Sequence, residues 1–161
     1  MRYRWDEGAV TADGEEVART GPGFWGLAPA FALGGAEWSY RNESEGLIGA
    51  RDGIDVLSAE RGRIWDASWR LAGLRGPMSL TRTSSWLLGK LRFDLERDGD
   101  RIAEVIPEGP WQYRPSLEVT GALDPAEAVF VLWVAARIDG RRPQRRIRPD
   151  GGMGGTAGGP A

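Results

Sequence analysis

The chain reads as a mainly β protein, an antiparallel closed barrel or sandwich around one buried, hydrophobic C-terminal helix. Three observations predict this. Short runs of strand-forming residues recur from residue 2 to residue 120, punctuated by Asp-Gly and Gly-Pro pairs. Within LRFDLE (91–96), Leu91, Phe93 and Leu95 alternate with Arg92, Asp94 and Glu96, the pattern of a half-buried antiparallel strand. A single long segment, Leu123 to Gly140, carries helix signals at both ends and is apolar on every side in its middle.

In chain order, RYRW (2–5) is followed by the Asp13-Gly14 turn and EEVAR (15–19). Three Gly and two Pro between 21 and 29 interrupt the pattern before AFAL (30–33) and EWSYR (37–41) resume it. Asp52-Gly53 leads into IDVLSAE (54–60), and Arg61-Gly62 into IWDASWRL (64–71). Gly76-Pro77 precedes MSLTRTS (78–84), and a break at Gly89 precedes LRFDLE. Asp98-Gly99-Asp100 closes a hairpin with RIAEVI (101–106), after which WQYR and SLEVT (111–120) run up to the helix. Many short strands at regular spacing point to a barrel or sandwich. The eight Trp are spread along these segments and read as core filler.

The helix has a chemical reason at each boundary. Asp124 can accept the first free amide hydrogens as N-cap, and Pro125 falls at the first helical position, where a missing N–H costs nothing. Glu127, three residues after the cap, completes a capping-box pattern and puts negative charge at the positive end of the dipole. Arg137 lies in the last turn, and Gly140 suits the left-handed position beyond it. Between them Ala128–Ala136 contains no polar residue. Such a run also suits a buried strand, but the two caps favour a helix over about 125–138. It is about half the ~20 apolar residues of a membrane span, so it is read as the buried axis of the domain and not as a transmembrane segment.

Composition restricts the chemistry. With 161 residues the chain is sized for one domain, placed at 1–140. It has no Cys and no His, which removes thiolate nucleophiles, disulfides, the usual general base and the commonest metal ligands. The N-terminus MRYRWDEGAV shows no apolar signal-peptide core, so a cytoplasmic location is expected. Abundant Arg, Ala and Gly suggest a GC-rich bacterial genome. Residues 1–140 hold 16 basic and 22 acidic groups, net −6, whereas 141–161 hold five Arg and one Asp, net +4. An acidic body argues against nucleic acid as a partner. The tail RRPQRRIRPDGGMGGTAGGPA has little to bury and is expected to be disordered.

Three motifs have chemical readings that their contexts oppose. Gly21-Pro22-Gly23-Phe24-Trp25-Gly26 matches G-x-G-x-x-G, but a dinucleotide site needs a helix to follow, and Pro29 follows instead. Asp94, Glu96, Asp98 and Gly99 resemble the start of a calcium loop, yet the bidentate Glu of that loop would fall on Val105. This segment is read as an acidic hairpin, and it is where a hard cation would be sought. Ser84 and Ser85 lie near Lys90 at a spacing that fits no Ser–Lys scheme. The expectation is therefore a non-enzymatic chain with no catalytic residue, cofactor or metal ligand. The alternative is a small-ligand-binding barrel or a hydrolase with a carboxylate-based site. Arg141, Arg142, Arg145, Arg146 and Arg148 form the candidate site: basic residues beside an apolar helix can hold an anionic membrane surface or an acidic protein partner.

The layout resembles the tubby C-like family, which includes plant LURP-one-related proteins and phospholipid scramblases. The resemblance rests on LEVTGALDPAEAVFVLWVAARID (117–139), read as last strand, cap and central helix, and on the strand–turn repeats with Asp-Gly hairpins before it. It implies a closed antiparallel barrel of about a dozen strands around a hydrophobic C-terminal helix, in a module that binds lipid or a partner; with the basic tail, the expected location is cytoplasmic, peripheral to the inner face of the membrane. The Lys/Arg phosphoinositide pocket of tubby proteins has no counterpart here, where the only Lys is Lys90. The acidic calcium segment and lipidated cysteines of scramblases are missing too, so scrambling and calcium activation are not implied.

Overall fold

The computed structural model describes residues 1–6, 8–21, 28–62, 67–84, 91–108 and 114–140. These form β1 (Arg2–Asp6), β2 (Ala9–Ala12), β3 (Glu15–Arg19), β4 (Ala30–Leu33), β5 (Ala36–Asn42) and β6 (Leu47–Arg51). They continue as β7 (Ile54–Arg61), β8 (Ser68–Gly73), β9 (Gly76–Arg82), β10 (Phe93–Arg97), β11 (Asp100–Glu108) and β12 (Arg114–Val119). A single helix among the described residues, α1 (Pro125–Gly140), follows. Every strand pairs antiparallel with its neighbours in sequence, and β1 pairs with β12, so the sheet is a closed barrel.

Tight turns set the register. Asp13 and Gly14 have φ of 50° and 93°, Asp52 and Gly53 have 50° and 82°, and Asp98 and Gly99 have 55° and 88°. Positive φ at both central residues is the type I′ hairpin geometry, which matches strand twist and which Asp-Gly adopts at low cost. Two of the turn carboxylates also hold a neighbouring strand: Arg2 N donates to Asp13 Oδ1 at 2.7 Å, and Glu37 N to Asp52 Oδ1 at 2.9 Å. Because strand direction alternates, all three turns lie at one end of the barrel, the end at which α1 begins.

Twelve strands explain why a helix is needed. About eight strands give an interior that side chains alone can fill. Twelve leave a wider lumen, and a helix with its side chains is about 10–12 Å across. Ala128 to Ala135 fill that space with no exposed surface at any position. Each fully buried Val, Leu or Phe among them contributes roughly 1.5–3 kcal/mol. The Phe130 ring meets Tyr40 edge-on, with centroids 5.2 Å apart, and Trp133 lies 5.1 Å from the Tyr40 ring. At Gly49 a Cβ would come within 3.2 Å of Phe130 and Tyr40 ring atoms, so the wall is thinned there to seat the helix.

The expected fold class is what the structure shows, resolved as a closed barrel. In LRFDLE, Leu91, Phe93 and Leu95 are buried as the alternation requires. Two strands were not anticipated. The β6 segment LIGAR contains Gly49, which reads as a breaker in sequence, and β2 is four small or short residues, AVTA. The Gly76-Pro77 break is displaced: the pair is already inside β9, with Gly76 opposite Gly73, and the chain turns at Leu74-Arg75. Gly140 is part of α1 and not the cap beyond it. Trp38, Trp69 and Trp133 are buried, and half-buried Trp5 donates Nε1–H to Thr20 Oγ1 at 2.8 Å. Trp25, Trp65, Trp86 and Trp111 lie outside the described residues.

Polarity runs apolar inside and charged outside. That is the reverse of a membrane-spanning barrel, whose outer band is apolar. No helix among the described residues is long and apolar enough to cross a membrane.

Candidate functional site

Polar groups converge where α1 begins. Asp124 Oδ1 accepts the Ala126 amide at 2.9 Å, and Glu127 Oε2 accepts the Asp124 amide at 3.1 Å, a reciprocal capping box. Glu127 is fully buried and does more than cap. Both of its oxygens accept from Arg97 Nη2 at 2.9 Å, and Oε1 also accepts the Arg75 amide at 3.1 Å. Arg97, with 11% of its side chain exposed, reaches Ala122 O through Nη1 at 3.1 Å. One carboxylate thus ties the helix start to β10, to the β8–β9 turn and to the segment after β12. Gly73 makes room for it, since a Cβ there would lie 2.5 Å from Glu127 Oε1.

Sequence reasoning found Glu127 as a capping residue and missed its partner. The signal was present. Arg97 continues the inward series Phe93, Leu95, and an arginine at an inward position needs a buried acceptor. Arg51 ends β6 opposite Trp38 in register, but there, at the rim of the barrel, its side chain is 54% exposed and needs no buried acceptor.

On the outer wall, charges pair with one another. Arg101 meets Asp94 and Arg92 meets Glu104, both at 3.2 Å, so the acidic hairpin has its own cations across β10–β11. Among the described residues, no three acidic groups are arranged to hold a metal ion. Arg41 grips Asp55 through two bonds of 2.8 and 2.6 Å and also binds Glu43 at 2.7 Å. The Arg41 hydrogen bonds hold the Asp55 carboxyl below its ordinary range, and the Asp55 and Glu43 bonds raise Arg41. Burial pushes the Tyr40 phenol well above its usual value, and burial followed by the Asp124 and Asp13 charges raises Tyr3.

Two surface depressions stand out. A groove of about 500 Å³ over β7–β9 has a floor of small residues, including Ser58 and Ala72, with Glu60 and Arg70 facing each other at its side. A second, of about 440 Å³, lies at the barrel end beside the start of α1, lined from β3 to β6 and by the β8–β9 turn. Among the described residues, Glu60 is the one carboxylate that borders the first and Asp124 the one that borders the second, so neither brings two described acids together for hydrolytic chemistry.

The candidate arginines Arg141, Arg142, Arg145, Arg146 and Arg148 lie outside the described residues, as do Pro22 to Gly26 of the glycine-rich motif, Ser85 and Lys90. Ser84 is described, and its Oγ accepts the Arg92 amide at 2.9 Å, a loop-holding role. Comparison of the chain with family models, curated proteins and solved structures returned no significant match.

Proposed function

We propose that the chain is a non-enzymatic binding or adaptor module of the tubby C-like kind, held at an anionic membrane surface by its basic tail. The supporting observation is the filled interior. With Ala128 to Ala135 wholly buried, the barrel axis has no room for a substrate, and recognition must take place on the surface or through the chain beyond α1. The charge distribution favours the second. The body carries net −6, while the 21 residues after Gly140 carry net +4. Each such arginine near an anionic surface contributes about 1 kcal/mol, and five together suffice for reversible attachment at the inner face of a membrane. The twelve-stranded layout around a C-terminal helix accords with the family resemblance and supports this reading.

Vesicle co-sedimentation tests it, using the full chain and a variant with Arg141, Arg142, Arg145, Arg146 and Arg148 all changed to Gln. The full chain should pellet with phosphatidylserine-containing vesicles at low salt, release as salt rises, and stay in solution with neutral vesicles. The variant should not pellet. Equal sedimentation of the two proteins, or none by the full chain, would remove the membrane reading and leave an acidic protein as the tail's partner.

A further inference from the structure

We infer that the cleft at the end of the barrel where α1 begins, beside the point where β3 and β4 part, is a binding site for a small apolar monocarboxylate, a molecule with an aliphatic or aromatic body and one anionic end. The wall is thinnest here. β3 and β4 pair only at Ala18↔Leu33 and Arg19↔Ala32, whereas β4 and β5 pair at four positions from Ala30↔Ser39 to Leu33↔Ala36. Because β4 ends at Leu33, the Glu15–Val17 part of β3 has no β4 partner in the register. The gap opens into the 440 Å³ cleft, a volume within the ~300–1,000 Å³ of small-molecule sites.

The lining selects the ligand. Val17, Leu33, Leu74 and Trp38 supply apolar wall, and Ala126 of α1 supplies part of the floor. Leu74 keeps 40% of its surface exposed, one of the few large hydrophobic residues to do so among the described residues. Among the described residues, two charged ones border the cleft. Asp124 is committed: Oδ1 caps the Ala126 amide, and Oδ2 faces Arg75 Nη2 at 4.0 Å. Arg51 is available. Among the described residues its nearest acid is Asp52, whose Oδ2 lies 3.7 Å from Nε, beyond hydrogen-bond reach, while Oδ1 accepts the Glu37 amide. A guanidinium fork with spare donors matches a carboxylate through two parallel bonds. The Asp124 charge disfavours a second anionic group on the same ligand. This site lies at the opposite end of α1 from the point where the tail begins, and it does not depend on the tail arginines.

The test is an amide NMR titration of the full chain with octanoate, with 1-octanol as the neutral comparator. Saturable shifts should centre on Leu33, Gly34, Leu74 and Ala126. Arg51→Gln, a change at an exposed side chain, should weaken octanoate binding by about tenfold or more and leave 1-octanol binding unchanged. Absence of saturable shifts, shifts centred on Ser58 and Ala72, or equal octanoate affinity in Arg51→Gln would each overturn the proposal.

Discussion

Where β1 meets β12, residues more than a hundred positions apart pair at Arg2↔Glu118, Tyr3↔Leu117 and Arg4↔Ser116. Where β3 meets β4, two pairs suffice, and the strands are consecutive in sequence. The long-range seam carries added ties. Arg2 and Arg4 both bind Glu108, Arg2 also contacts Glu118 at 3.6 Å, and Met1 and Val119 exchange backbone hydrogen bonds at 3.3 and 2.8 Å. The difference follows from loop closure. Bringing distant ends of a chain together costs more entropy than joining adjacent strands, and no turn specifies the β1–β12 register. That seam is secured by charge and by the N-terminus, while the local seam can be left short and open into a cleft.

Both seams rest on the helix behind them, and the largest expected effect comes from removing it. Leu132→Asp places an unpaired charge at the middle of the axis, a cost comparable with a whole domain's stability of about 5–15 kcal/mol. No cooperative thermal transition should be seen by circular dichroism. A stable mutant would mean that the wall closes without its core.

Next in size is the pin at the start of the helix. Glu127→Ala leaves Arg97 buried without its carboxylate and frees two backbone amides, so about 3–5 kcal/mol should be lost in urea unfolding. Glu127→Gln retains acceptor capacity and should lose less. A loss within 1 kcal/mol for the alanine variant would show that apolar packing alone seats α1.

The closing seam should respond more weakly. Glu108→Ala removes the acceptor of Arg2 and Arg4, both substantially exposed, and should cost about 1 kcal/mol at low salt and less at high salt. A cost above 3 kcal/mol would mean the ion pairs, not the backbone ladder, hold β1 to β12. Smallest of all, native-state hydrogen exchange should distinguish the seams without any mutation. Amides shared between β3 and β4 should exchange about tenfold faster than those between β1 and β12, as sparse pairing lowers the local opening free energy. Equal protection would mean that the cleft does not weaken the wall.

Much of this was readable from local pattern. The Asp-Gly pairs marked three real hairpins because positive φ at both positions is a local preference. LRFDLE declared its inward face, and Asp124-Pro125-Ala126-Glu127 marked the helix start to the residue. The strands that escaped notice, β2 and β6, owe their existence to neighbours: Ala9–Ala12 is too short to show a period, and Gly49 is small because Phe130 needs the room.

By itself the sequence determined an antiparallel all-β wall, its type I′ turns, and a helix too apolar to lie on any surface, since these follow from preferences acting over a few residues. Only the tertiary structure decided that the wall closes on itself at β1–β12, that Arg97 meets Glu127 across 30 residues, and that β3 and β4 part at a cleft that Arg51 of β6 also lines. Those are contacts between distant segments, fixed by how twelve strands pack around one helix; a local pattern can mark Arg97 as inward but does not name its partner.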